Sequence, residues 1–448
     1  MARSRVSPGV LALLVLPLAS TPAAGGDAPA PWIVGRLEPA WADAKPRRTL
    51  QLRHDATKSD EANGEALAAK LGELEPGDRL EIGPGRYSFA RKIDLSLRGT
   101  LEAPIRIVAA DEARPPVITR PDARQNVLNV GEQSRAEYIG FRGLELTGGS
   151  TLLRFHDGAD IWLDRCHLHR AGHEGITTNT RDTTRFFITR NHFHHFTNPD
   201  ATGEAMYLGA NDGQAAMSYS VIADNHVHHC GGTQGDGIEL KQGSHHNWIV
   251  GNHIHDTKYP CITAYGTGGK GINVIERNVC YRSGDNVLQV QGEAIVRNNL
   301  LIDAAGAAFA STDHQGKTRR LTFIHNTILS RRRGANLSSW NDREEMVFAN
   351  NLVYTDGGDA LRFPGGAKGV TVAGNVVVGR VSGVQGGFTV GRGLEDFEDV
   401  TWDGEKRQAA PREGSPAAAA GDDRFRVPVD LTGLKRGDRV VAGANGAR

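Results

Sequence analysis

The chain has 448 residues, and its 52 Lys and Arg balance 52 Asp and Glu, so no net field draws it to nucleic acid or to an anionic membrane surface. Hydrophobic residues make up 39% and aromatics 6%, while 55 glycines punctuate the chain. That balance excludes a helical bundle and suits a turn-rich all-β protein.

Residues 1–24 read as a signal peptide. Arg3 and Arg5 precede the apolar run VLALLVLPLA (residues 10–19), and the small residues STPAAGG follow. The run is too short to span a bilayer and no other is longer, so no membrane span is expected, and the mature protein is expected to be periplasmic or secreted. Residues 25–60, rich in Pro, Ala and charge, read as a lead-in or linker. NGEALAAKLGEL (residues 63–74) predicts an amphipathic helix capped by Asn63, covering the open bottom of whatever follows. Cys166, Cys230, Cys261 and Cys280 show no Cys-x-x-Cys spacing and are expected to be buried thiols.

Residues 61–400 hold a repeat. The pattern apolar-x-x-Asn-x-apolar recurs around Asn191, Asn225, Asn252, Asn278, Asn298, Asn326, Asn350 and Asn375, with degenerate copies at Leu144 and Cys166. The interval is roughly 20 to 34 residues, and each unit holds short β-branched alternations broken by Gly, Asp and Asn. One unit per turn of a parallel β-solenoid of about ten rungs accounts for this, with rungs stacked about 4.8 Å apart and the asparagines forming a ladder. Residues 401–448 read as a C-terminal tail, polar and Ala-rich over 404–423 and hence loop or disorder, with room for a terminal strand in 424–447.

The asparagine rungs resemble the right-handed parallel β-helix of the pectate-lyase-like superfamily. GDRLEIGPGRYSFARKIDLSLRGTLEAPIRIVA (residues 77–109) is similar to the N-terminal segment of chondroitinase B and the related alginate lyases. The fold is shared by unrelated activities, so chemistry has to be argued from residues.

In Gly237-Ile-Glu-Leu-Lys241, inward Ile238 and Leu240 leave Glu239 and Lys241 projecting from the outer face. Aligned on that inward residue, neighbouring rungs place Glu174, Glu204, Asp236, Asp285 and Asp359 at one corner. Stacked carboxylates repel unless a cation joins them, and hard oxygen ligands suit Ca²⁺. The resemblance to chondroitinase B implies a ligand set here of Asn225, Gln234 and Asp236, with Glu204 adjoining through the corner column, and Lys241 as the base. Gln234 stands where the family has an acid. The family's catalytic arginine is also missing: Ala264-Tyr265-Gly266 occupies its place, and Tyr265 falls in the Lys241 column as the acid. Glu239 completes the catalytic set. The alternative for Lys241 is an ion pair with Glu239 on a solvated face.

Histidines follow the ladder in pairs: His167 and His169, His192 and His194, His226 and His228, His253 and His255. Both members of each pair face outward, as a stacked polar surface, a Zn²⁺ or Cu²⁺ site, a pH-sensitive patch or a sugar platform. Trp340 is expected either to stack on a sugar or to pack under a loop. Lys317, Arg319, Arg320 and Arg331 to Arg333 form a basic cluster, suited to a polyanionic glycan or simply solvated.

The resulting expectation is a monomeric exported enzyme acting on an acidic, uronate-containing polysaccharide, a lyase working by β-elimination. The alternatives are a non-catalytic glycan-binding or envelope protein, and a uronate C5-epimerase or glycoside hydrolase on the same fold.

Overall fold

The structure, a computed structural model, describes residues 36–446; the expected signal peptide lies outside them. Short strands wind into a solenoid with three lateral faces. A 14-stranded parallel sheet forms the first, running from Arg48–Leu52 to Val370–Ala373 with Met217–Ser218 off the main path. Strands such as His226–Cys230 and His253–Thr257 form the second face, and Met206–Leu208, Ile238–Leu240 and Ile262–Ala264 the third. The solenoid is therefore longer than the ten repeats suggest, because its first coils carry no asparagine. Residues 25–60 are not all lead-in: Arg48–Leu52 pairs in parallel with Asp78–Ile82 and opens the first face.

Alternation fills the interior. Ile238 and Leu240 are fully buried, as are Phe193, Val227 and Ile254 on the second face. Phe309, Phe323 and Phe348 stack through successive rungs at 3.9 and 5.3 Å between centroids. Trp340 belongs to this core, edge-on to Phe348 and Phe363, so it packs under its loop and offers no sugar platform. All four cysteines are buried and free.

The helix spans Asp60–Gly72 and starts earlier than expected. Its cap is Ser59, whose hydroxyl accepts from the Ala62 amide. Asn63 is inside the helix and buried, accepting from the Asp55 amide and donating to the Asp55 and Ser59 carbonyls. Leu67 and Leu71 bury the helix against the first coils.

The ladder runs through Asn191, Asn225, Asn252, Asn278, Asn299, Asn326, Asn351 and Asn375. Each Oδ1 accepts from the backbone and side-chain amides of the preceding coil at 2.9–3.2 Å, Asn191 excepted, whose Oδ1 meets the Cys166 amide. In the two Asn-Asn repeats the ladder thus uses the second asparagine, Asn299 and Asn351, where the sequence pattern picks the first. The residue before the ladder position is left-handed in coil after coil: Arg190, Asp224, Arg277, Asn298, His325 and Asn350 have φ between 53° and 57°. Asparagine tolerates that conformation well, so it also fits the position just before the rung. Asn252→Ala would orphan the buried Asn225 amides at ~1–3 kcal/mol each. A destabilisation of about 3–5 kcal/mol is expected, read as a lower urea midpoint at unchanged denaturant slope.

The tail is ordered against the second face. Phe397–Val400 pairs antiparallel with Arg407–Pro411, Pro416–Ala419 is a short helix, and no strand forms after residue 411 among the described residues. Phe397, Ala409, Ala417 and Ala442 cover the outward Leu300, Ile302, Leu329, Leu352 and Val376. The expected disorder is replaced by docking because these outward positions, polar in earlier coils, are apolar here.

Candidate functional site

The third face carries a cleft of about 530 Å³ whose floor includes Asp236, Glu239, Lys241, Thr263 and Tyr265, with Asn211, His314 and Gln315 among the walls. The register is the expected one. Glu239 lies opposite Tyr207 and Thr263, and Ile238 opposite Ile262, which carries Lys241 alongside Tyr265.

Lys241 Nζ is 2.5 Å from Glu239 Oε1, and the Tyr265 hydroxyl donates to the same oxygen at 3.3 Å. The ammonium also sits 4.3 Å from the Tyr207 ring centroid and 5.3 Å from that of Tyr265. The Lys241 and Glu239 side chains are only 4% and 3% exposed, so the solvated ion pair is ruled out. A buried pair of this kind costs desolvation and is weak evidence for stability, which leaves chemistry as the better explanation. Burial and the neighbouring carboxylates push the Tyr265 hydroxyl well above its ordinary range, so it keeps its proton.

Beside this pair, Glu204, Asp236 and Glu239 bring one carboxylate oxygen each to within 4.8 Å of one another. The corner column is real for Glu174, Glu204 and Asp236, since Ile176, Met206 and Ile238 are in register. Asp285 is displaced from it by one residue, because Ile262 pairs with Leu288 and not with Val287. Thr263 donates to Asp236 at 2.6 Å. Both oxygens of Glu204 and Oε2 of Glu239 are buried without a well-formed hydrogen-bond partner. Burial raises the Glu204 carboxyl to about 7, against the opposing influence of the Thr202 hydroxyl. Burial, reinforced by the Glu239 charge, also raises Asp236 well above the usual carboxylate range.

Two expected ligands fare differently. Asn225 is a ladder residue buried at the opposite end of its coil's second-face strand, its amide saturated by Asn191, Asn252 and the Ile188 carbonyl, so it is not a cation ligand. Gln234 lines the same cleft as Asp236 and Glu239. Glu239, assigned by sequence to catalysis alone, joins the trio instead. Its outward parity next to the corner column was the available signal. The arginines of the basic cluster are partly paired, Arg319 with Glu293 at 2.8 Å and Arg331 with Asp303 at 3.2 Å. Arg331 to Arg333 border a separate depression of about 430 Å³.

Residues 126–274 match the family described as the right-handed β-helix region. The chain is a right-handed parallel β-helix protein. No curated protein matches it in sequence. Among solved structures, this β-helix is similar to the pectate lyase Pel9A, at 14% identity over 91% of this chain and 98% of that one, with a TM-score of 0.55. XylC in complex with xylose follows at 11% identity, 89% and 99% coverage and a TM-score of 0.54. A mannuronic acid-specific family 6 polysaccharide lyase from human gut microbiota shares 13% identity over 77% and 90% of the two chains, with a TM-score of 0.51. Likeness at these identities is a likeness of fold, one that includes polysaccharide lyases.

Proposed function

We propose that this β-helix protein is an exported lyase that cleaves an acidic polysaccharide by β-elimination. The observation that carries the reading is the buried Lys241–Glu239–Tyr265 chain lying in an open cleft beside three carboxylates. Export rests on the basic and apolar pattern of residues 1–24.

Elimination needs a base for the proton α to the uronate carboxylate and an acid for the departing 4-linked oxygen. Lys241, as the free amine, serves as the base and is held in position by its contact with Glu239. Tyr265, held protonated, gives its proton to the leaving oxygen as the carbon–oxygen bond breaks. Tyr207 and Tyr265 flank the amine and limit the approach of water.

The orphaned oxygens of Glu204 and Glu239, with Asp236, fit a hard divalent cation such as Ca²⁺. When bound, such an ion would neutralise the substrate carboxylate and acidify its α-proton. Wild-type protein at pH 8 is expected to gain a few degrees in Tm with excess Ca²⁺, equivalent to ~2.7 kcal/mol at a hundred times Kd. At pH 4 the gain should vanish, because protons occupy the carboxylates. An equal response at both pH values, or none at pH 8, contradicts the cation assignment.

The direct test is incubation with alginate, pectate and chondroitin, followed through the ultraviolet absorbance of the unsaturated uronate. Silence on all three, with and without Ca²⁺, would replace the lyase by the glycan-binding reading, which the absent arginine and Gln234 favour.

A further inference from the structure

The second lateral face carries a feature that elimination does not use. His167, His192, His226 and His253 stack in one column, with adjacent ring centroids 4.9–5.1 Å apart and planes within 16°. His169, His194, His228 and His255 form a second column at 5.0–5.1 Å. A third, unanticipated from the sequence, consists of His195 and His229, 4.7 Å apart. These two follow the second column directly and have φ of 59° and 55°, which breaks the strand's alternation and turns consecutive side chains outward together.

The columns meet nitrogen to nitrogen. Nε2 of His167 is 2.6 Å from Nε2 of His194, that of His192 is 2.8 Å from His228, and that of His226 is 3.0 Å from His255. Nδ1 of His194 and of His228 each lie 2.6 Å from Nδ1 of the adjoining His195 and His229. Burial and the neighbouring imidazoles lower His192 to about 4 and His228 to about 3, so these two rings are neutral at physiological pH. In a neutral imidazole one ring nitrogen donates and the other accepts, so each of these contacts is an N–H···N hydrogen bond, and a metal ion entering the cluster would take the place of the shared proton.

Position on the fold supports a ligand. Above His253 and His255 the same two columns become Val279 and Tyr281, then Leu300 and Ile302. The tail packs over those residues, whereas the imidazoles of the first column, and His228 and His255 of the second, are only half-buried. The histidines thus occupy the stretch of this face that stays open to solvent.

We propose that the histidine face binds a borderline divalent transition-metal ion, Zn²⁺, Cu²⁺ or Ni²⁺, through imidazole trios built around His192 and His228. Neutral imidazole is the preferred nitrogen donor for these ions. Four trios bring their ligand atoms within 4.8 Å: His167, His192, His194; His192, His226, His228; His195, His228, His229; and Glu145, His167, His169. Metal–nitrogen bonds of ~2.0–2.1 Å require only small ring movements to close such a set. Shared members make no more than two of the four trios usable at once.

The test is calorimetric titration of full-length untagged protein with ZnSO₄ in excess Ca²⁺, which keeps the carboxylate trio out of the measurement. Wild type is expected to take up one or two Zn²⁺ with micromolar or tighter affinity. H192N/H228N breaks three of the trios, and its Zn²⁺ affinity should fall at least tenfold, with no more than one ion bound. Wild type without heat of binding at millimolar Zn²⁺, or a folded double variant titrating like wild type, overturns the proposal. Should the double variant misfold, Co²⁺ added to wild type decides: intense visible d–d bands that Zn²⁺ abolishes support imidazole coordination, and the weak spectrum of aqueous cobalt refutes it. Neither readout depends on the polysaccharide reaction.

Discussion

Replacing Lys241 by arginine is expected to lower kcat on the responsive polysaccharide by roughly 10²–10⁴-fold, the usual contribution of a positioned base. Arginine keeps a positive charge beside Glu239 but cannot give up its proton under working conditions. The buried pair therefore survives, and the urea midpoint should stay close to wild type. Lys241→Ala should lose the same activity and also lose stability, because Glu239 would remain buried without a counter-charge, at about 3–5 kcal/mol. The contrast separates chemistry from architecture. Activity retained in the arginine variant sinks Lys241 as the base. A rise in KM with kcat intact would assign it to substrate binding instead.

Glu204→Gln is expected to act in the opposite direction on stability. The Glu204 carboxyl holds its proton up to about pH 7 when folded, whereas its ordinary value is 4.5. Between those values the native state binds more protons than the unfolded chain, so wild-type stability falls as pH rises. The neutral amide escapes this loss. At pH 8 the variant should be more stable by ~3 kcal/mol in the absence of divalent cations, and at pH 4 the two proteins should coincide. Adding Ca²⁺ at pH 8 should restore wild type and leave the variant unmoved. A pH-independent difference between the two would mean that Glu204 titrates normally and that the carboxylate trio is not primed for a cation.

Much of this was legible in the sequence. Strict alternation in Ile238-Glu239-Leu240 fixed which side chains enter the core, and the repeat fixed the register that sets Tyr265 beside Lys241. What escaped was governed by left-handed residues, which break parity locally. They moved the ladder from Asn298 to Asn299 and from Asn350 to Asn351, and they hid the His195–His229 column. Asn225 escaped for another reason. A carboxamide at a solenoid corner has the same sequence signature whether it points to a ligand or to the next coil, and only the hydrogen bonds distinguish the two. Depth was invisible as well: the walls above Lys241 come from residues such as Asn211 and His314, far away along the chain.

The asparagine spine repeats one arrangement, in which each NH₂ group gives one hydrogen to a backbone carbonyl of the preceding coil. The same group also donates to the following coil, from Asn191 up to Asn375, whose own amide ends on the Gly387 carbonyl. The spine is thus a polar, modular wire in which every joint is interchangeable. A coil gained or lost by unequal recombination rejoins donor to acceptor without stranding either. The length of the molecule is therefore free to drift in evolution while the wall that holds Lys241 keeps its shape.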